Sequence, residues 1–210
     1  MAPGDAASQG PDPAIAAPAR GRPFSQRTDQ AILEATVDLL ADRGLSDISI
    51  EDIAALARVS KASIYRRWPS KGTLAFDAFM TEFLGTQPLP DTGRLDEDLR
   101  VTLRNWVRTV DGTTAGRTLR GLIAEVQRDP DLAAAWRERF VEPVRAAHLT
   151  MTERAMARGE LRRDADANLL LDLLFGPAYH RLLQGHLPLD AAFITGAVAA
   201  ITAAVKAGAI

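Results

Sequence analysis

The chain has 210 residues, 47% of them hydrophobic, a formal net charge of −2 and no cysteine. That apolar content suffices for one large domain or for a small domain joined to a larger one. The missing cysteines exclude disulfides and thiolate metal sites, and the slightly negative charge excludes a protein that coats DNA nonspecifically. The three histidines, His148, His180 and His186, are too scattered for a metal-ligand set, so no metal and no cofactor are expected.

Residues 1–24 read as a disordered arm: they are rich in Ala, Pro and Gly and lack the continuous apolar run of a secretory signal. From Ser25 onward the periodicity is helical nearly throughout. Ile32, Leu33, Ala35, Thr36, Leu39 and Leu40 recur at three- and four-residue spacing, and Gly44 follows as a stop, which predicts a first helix of about five turns.

The next stretch, SIEDIAALARVSKASIYRRWPSKGTLAF, is densely punctuated. Ser49, with Asp52 three residues on, makes a capping-box-like start for a two-turn helix that turns Ile50, Ile53, Ala54 and Leu56 inward. Ala57 to Ser60 leave room only for a tight turn before a second capped start, where Ser60 can accept from the backbone of Ser63. Two short helices so joined predict a helix-turn-helix, whose second helix enters the major groove of DNA. Between Asp52 and Asp77 stand Arg58, Lys61, Arg66, Arg67 and Lys71 without one acidic residue. Lys61, Ala62 and Ser63 are candidate readers of base edges. Tyr65, Arg66 and Lys71, with the helix N-termini at Ser49 and Ser60, are candidate phosphate contacts. Trp68 reads as a ring wedged beneath the second helix rather than a DNA contact.

Later helices are expected over 73–84, 95–110, 114–128, 130–158, 165–184 and 190–206, with no strand and no internal repeat, so the fold class is all-α. The segment ANLLLDLLFGPAYHRLLQG is apolar nearly all round from Leu169 to Phe175, and Pro177 should kink it. The last helix carries adjacent stripes of Phe193, Ala197, Ile201 and Val205 and of Gly196, Ala200 and Ala204. Together with Leu170, Leu174 and Pro177 these form a candidate four-helix interface with a second copy, a homodimer. The uncharged run 191–205 falls short of the roughly 20 apolar residues of a membrane span, so no transmembrane segment or membrane partner is expected, and the missing cysteines are compatible with a reducing, cytoplasmic location.

Residues 25–84 resemble the DNA-binding domain of the TetR (tetracycline-repressor) family of bacterial transcriptional regulators. The matching residues are Ala31-Ile32-Leu33 and Leu39 to Gly44, then Ser49 to Ala54, then Val59 to Trp68, and Ser70-Lys71 before Leu74. The segment LLFGPAYHRLLQGHLPL resembles the C-terminal domain of one TetR subgroup. The resemblance implies a three-helix DNA-binding domain over 25–72 and a larger helical domain over 73–210 that dimerises and, in many members, binds an effector. It places Ser60 to Ser63 at the start of the recognition helix and matches Tyr65 and Lys71 to phosphate contacts. Many relatives have glycine where this chain has Arg58, so either the turn takes another conformation or the added charge offsets strain by touching phosphate.

Just ahead of the domain, Arg20-Gly21-Arg22-Pro23 resembles the core of AT-hook peptides, and Arg20 and Arg22 are candidate minor-groove or phosphate contacts. Trp106, Leu122, Ile123, Trp136, Phe140, Val144 and Phe175 are candidates to line an effector cavity, with Arg120, Glu125, His148, Tyr179 or His180 as its polar groups, for a hydrophobic or aromatic small molecule. No phosphate loop, His-Glu-x-x-His pair or nucleophile elbow occurs, and Glu142 and His148 do not share a helix face, so an enzyme is not expected. A two-fold dimer implies a palindromic operator, with recognition helices about 34 Å apart.

Overall fold

The computed structural model describes residues 22–83 and 89–210. Ten α-helices make up the described residues: α1 (Arg22–Asp42), α2 (Ile50–Leu56), α3 (Lys61–Tyr65), α4 (Lys71–Phe83), α5 (Leu95–Val110), α6 (Thr114–Val126), α7 (Pro130–Trp136), α8 (Glu142–Arg158), α9 (Ala167–Gln184) and α10 (Ala191–Lys206). There is no strand among them. α1 starts three residues ahead of Ser25, with Pro23 in its first turn, where the missing N–H has no helical partner to lose.

Caps set most boundaries. Thr113, Asp129, Asp166 and Asp190 each accept from a backbone N–H of the helix they open, and Gly159 and Gly185 close α8 and α9 in the left-handed conformation. The helix expected over 130–158 is one helical path with a π-helical turn, Arg137–Val141, between α7 and α8. Pro143 explains it. Proline has no N–H for the carbonyl four residues back, and the chain widens so that the Glu142 N–H reaches Arg137 O, five residues back. α9 continues through Pro177 without ending.

Ile32, Leu40, Ile53, Ile64 and Leu74 are fully buried where α1 to α4 meet, and each such side chain contributes about 2 kcal/mol. Leu99, Leu103, Leu119, Leu132 and Met151 do the same among α5 to α8. The sequence-derived division at 72/73 falls inside α4, which packs on both α1 and α6. α6 also approaches the end of α1 and the loop after it: Arg117 donates to Ala41 O at 3.0 Å, and a Cβ on Gly121 would lie 3.0 Å from Leu45 Cβ.

Candidate nucleic-acid interface and cavity

α2 begins with a complete capping box. The Asp52 N–H donates to Ser49 Oγ at 3.1 Å, and Asp52 Oδ2 accepts from the Ser49 N–H at 2.9 Å and from its hydroxyl at 2.6 Å. These bonds hold the Asp52 carboxyl below its ordinary range. The Ser49 hydroxyl is thereby committed to the helix it caps.

The turn after α2 resolves the question raised by Arg58. Its φ is 55°, the only positive φ of a non-glycine among the described residues. The Val59 N–H bonds to Ala54 O at 3.0 Å and the Arg58 N–H to Ala55 O at 3.3 Å, the paired bonds of a Schellman closure. Arginine thus occupies the left-handed site that favours glycine.

α3 is capped by Ser60, whose Oγ accepts from the Ser63 N–H at 3.2 Å. Ile64 is buried beneath it, and Lys61, Ala62, Tyr65 and Arg66 share the exposed side, Tyr65 being half exposed. Trp68 is buried, as a wedge requires, and its indole N–H donates to Asp77 Oδ2 at 2.8 Å.

The five cations have different employments. Lys61 Nζ pairs with Glu51 Oε1 at 2.6 Å in the open, which raises the lysine pKa and lowers that of the glutamate; an exposed pair of this kind exchanges at little cost. Arg67 pairs with Asp29 and donates to Ser63 O at 2.8 Å. Lys71 Nζ donates to Leu45 O at 2.7 Å and to Ile48 O at 2.9 Å, pinning the loop between α1 and α2 with two of its three protons. Arg66 reaches Ser63 Oγ at 3.3 Å, and Arg58 is exposed. Arg20 and the side chain of Arg22 lie outside the described residues.

A cavity of about 810 Å³ opens among α5, α8 and α9, with Phe79 of α4 and Phe140 of the π-turn in its wall. Of the residues expected there, Trp106, Phe140, Val144, His148, Phe175 and Tyr179 line it. Leu122, Ile123 and Trp136 do not: Leu122 is wholly buried, Ile123 packs against the core, and Trp136 packs in tilted contact with Phe76 and Phe140, ring centroids 5.5 and 4.4 Å away. Arg120, Glu125 and His180 are also outside the lining. The polar stripe Thr102, Asn105 and Thr109 was missed, although its helical spacing beside Trp106 was readable on α5.

A shallow apolar groove of about 760 Å³ runs between α9 and α10 along Leu173, Pro177, Leu187, Gly196, Ala200 and Ala204. Leu170 and Leu174, assigned to a dimer face from the sequence, are fully buried inside the protomer. The exposed leucines stand one position earlier, at Leu169 and Leu173. With leucine on nearly every side of α9, periodicity does not distinguish inner from outer. Phe193 and Ile201 line the groove but are themselves mostly buried, while Ala197 is partly exposed.

A capped helix pair with an exposed, basic second helix is joined to a larger helical body, and two family models cover the chain in that order. Residues 32–78 match the bacterial regulatory proteins of the tetR family, and residues 89–201 match the tetracyclin repressor-like C-terminal domain. The chain belongs to the TetR family of bacterial transcriptional regulators. The TetR family is one of DNA-binding regulators and not of enzymes. This TetR-family chain is 36% identical over 164 residues to the HTH-type transcriptional regulator YdeS of Bacillus subtilis, spanning 78% of this chain and 82% of the relative. It is 34% identical over 167 residues to a DNA-binding transcriptional repressor TetR of Mycobacteroides abscessus, spanning 78% and 86%. The crystal structure of the TetR family transcription regulator SCO0332 superimposes with a TM-score of 0.72 at 36% identity, over 85% of this chain and 98% of that one. No helix among the described residues is long and apolar enough to cross a membrane.

Proposed function

We propose that this TetR-family regulator is a cytoplasmic homodimeric repressor that binds a palindromic operator and is released from it by a small hydrophobic or aromatic effector. The observation that carries the reading is the exposed side of α3, where Lys61, Ala62 and Tyr65 stand free of the core while Ile64 anchors the helix from beneath. Lys61, Ala62 and Ser63 meet base edges, with Lys61 exchanging Glu51 for guanine. Tyr65, Arg66, Arg58, the third proton of Lys71 and the N-termini at Ser49 and Ser60 meet phosphates and fix register. Arg20 and Arg22 extend the contact to an adjacent minor groove or its phosphates.

Repression is supported by the M. abscessus relative, which is named a repressor. An effector is supported by the aromatic cavity, whose wall includes Phe79 of α4, the helix that also packs against α1. A ligand that fits one orientation of the DNA-binding units shifts the population away from the state that spans two major grooves.

The test is a mobility shift with excess competitor DNA on the DNA flanking the coding region, with footprinting of the complex, on the wild type and Tyr65→Ala. Tyr65 is half exposed, so the substitution should leave stability within about 0.5 kcal/mol while abolishing the discrete complex. A protected site without dyad symmetry, bound by one protomer, overturns the reading.

A further inference from the structure

Granting the cavity its effector role, we infer that it selects a neutral aromatic molecule whose hydroxyl or N–H donates to Nε2 of His148. The walls set the shape. Trp106 lies 5.0 Å from Tyr179 and 6.2 Å from Phe175 between ring centroids, and His148 meets Phe175 edge to face at 5.1 Å. Such faces and edges suit a flat ring.

The polar atoms set the chemistry. His148 Nδ1 is 2.7 Å from Val144 O. A carbonyl only accepts, so Nδ1 carries the proton, and in the neutral ring Nε2 is left as a bare acceptor. Burial favours that neutral form, holding the His148 pKa below its ordinary value. Tyr179 is likewise kept protonated by burial, so its O–H remains a donor. A ligand hydroxyl can donate to His148 and accept from Tyr179, whereas an ether can only accept.

The cavity is poorly furnished for an anion. Arg145 spends its guanidinium on Asn168 Oδ1 at 2.9 Å, Asn168 O at 2.9 Å and Asp172 Oδ1 at 2.8 Å. Arg108 is exposed to solvent, where its charge is screened. A carboxylate entering beside the Nε2 lone pair would lose hydration without gaining a dedicated cation.

Isothermal titration of the full chain with 2-naphthol, its methyl ether 2-methoxynaphthalene and 2-naphthoate separates the possibilities with probes of one ring shape. The phenol should bind roughly ten-fold more tightly than either of the others, the cost of one unsatisfied buried acceptor. His148→Phe should reduce the phenol to the affinity of the ether; if that variant does not fold, the wild-type comparison still decides. Equal affinity for phenol and ether overturns the inference, as do tightest binding of naphthoate, no binding of any probe, or a preference that survives His148→Phe. The operator mobility shift, run with the same probes, distinguishes the two readings. Selective binding of 2-naphthol without release of DNA sinks effector release alone, while release by all three probes alike sinks the ligand class alone.

Discussion

Arg58 holds a left-handed backbone, φ 55°, that costs a non-glycine residue on the order of 1 kcal/mol. The Schellman bonds from Val59 and Arg58 keep it there because they satisfy the last carbonyls of α2 and aim α3. Arg58→Gly should therefore raise the unfolding free energy by about 1 kcal/mol in urea titration and weaken operator binding by the loss of one cation; a destabilised variant would show that the arginine side chain, not the backbone, dominates this site. The capping serines and the exposed side of α3 were legible in the sequence because they depend on neighbours three or four residues away. The partners of Lys71 were not, since Leu45 O and Ile48 O lie 26 and 23 residues back and only the folded α1–α2 loop brings them within reach. The pairing of Lys61 with Glu51, ten residues apart and on different helices, escaped for the same reason.

The helices themselves were legible to within a few residues, because caps and breakers sit at their ends. The π-turn was not, since its cause is a carbonyl left over by Pro143, which hydrophobic periodicity does not register. That turn carries Arg139, which packs over the Phe76 ring at 5.0 Å and pairs with Asp77 Oδ1 at 2.7 Å. The other oxygen of Asp77 accepts from Trp68 beneath the recognition helix. One carboxylate of α4 thus ties the helix-turn-helix to the wall of the cavity. Asp77→Ala strands a buried indole N–H and removes the partner of Arg139, and should cost about 1–3 kcal/mol in thermal or urea unfolding. Arg139→Ala removes only a half-exposed charge and should cost less, because Trp68 keeps its acceptor. Equal losses in the two variants would show that the Trp68 bond contributes nothing.

At the scale of the whole molecule, the proposed homodimer uses the groove between α9 and α10 to bring two recognition helices together. In an isologous dimer each substitution appears twice in one interface. Ala200 is exposed in the protomer and stands between Gly196 and Ala204 on the small-residue stripe, so an arginine there has room in an isolated chain but none where two copies of α10 approach. Ala200→Arg should leave the helical content unchanged and abolish dimerisation, since each buried unpaired charge costs on the order of 3–5 kcal/mol. Sedimentation equilibrium at micromolar concentration should then report a monomer, with the footprint on a two-fold operator lost because a single recognition helix gives up half the contacts. Thr195→Arg serves as the control: Thr195 is also exposed on α10 but lies outside the groove, so it should remain a dimer and bind operator as the wild type does. If both variants stay dimeric, the interface lies elsewhere on the helical body. If Ala200→Arg is monomeric yet still protects a full palindrome, the operator itself assembles the two copies, and dimerisation in solution is not what sets the spacing.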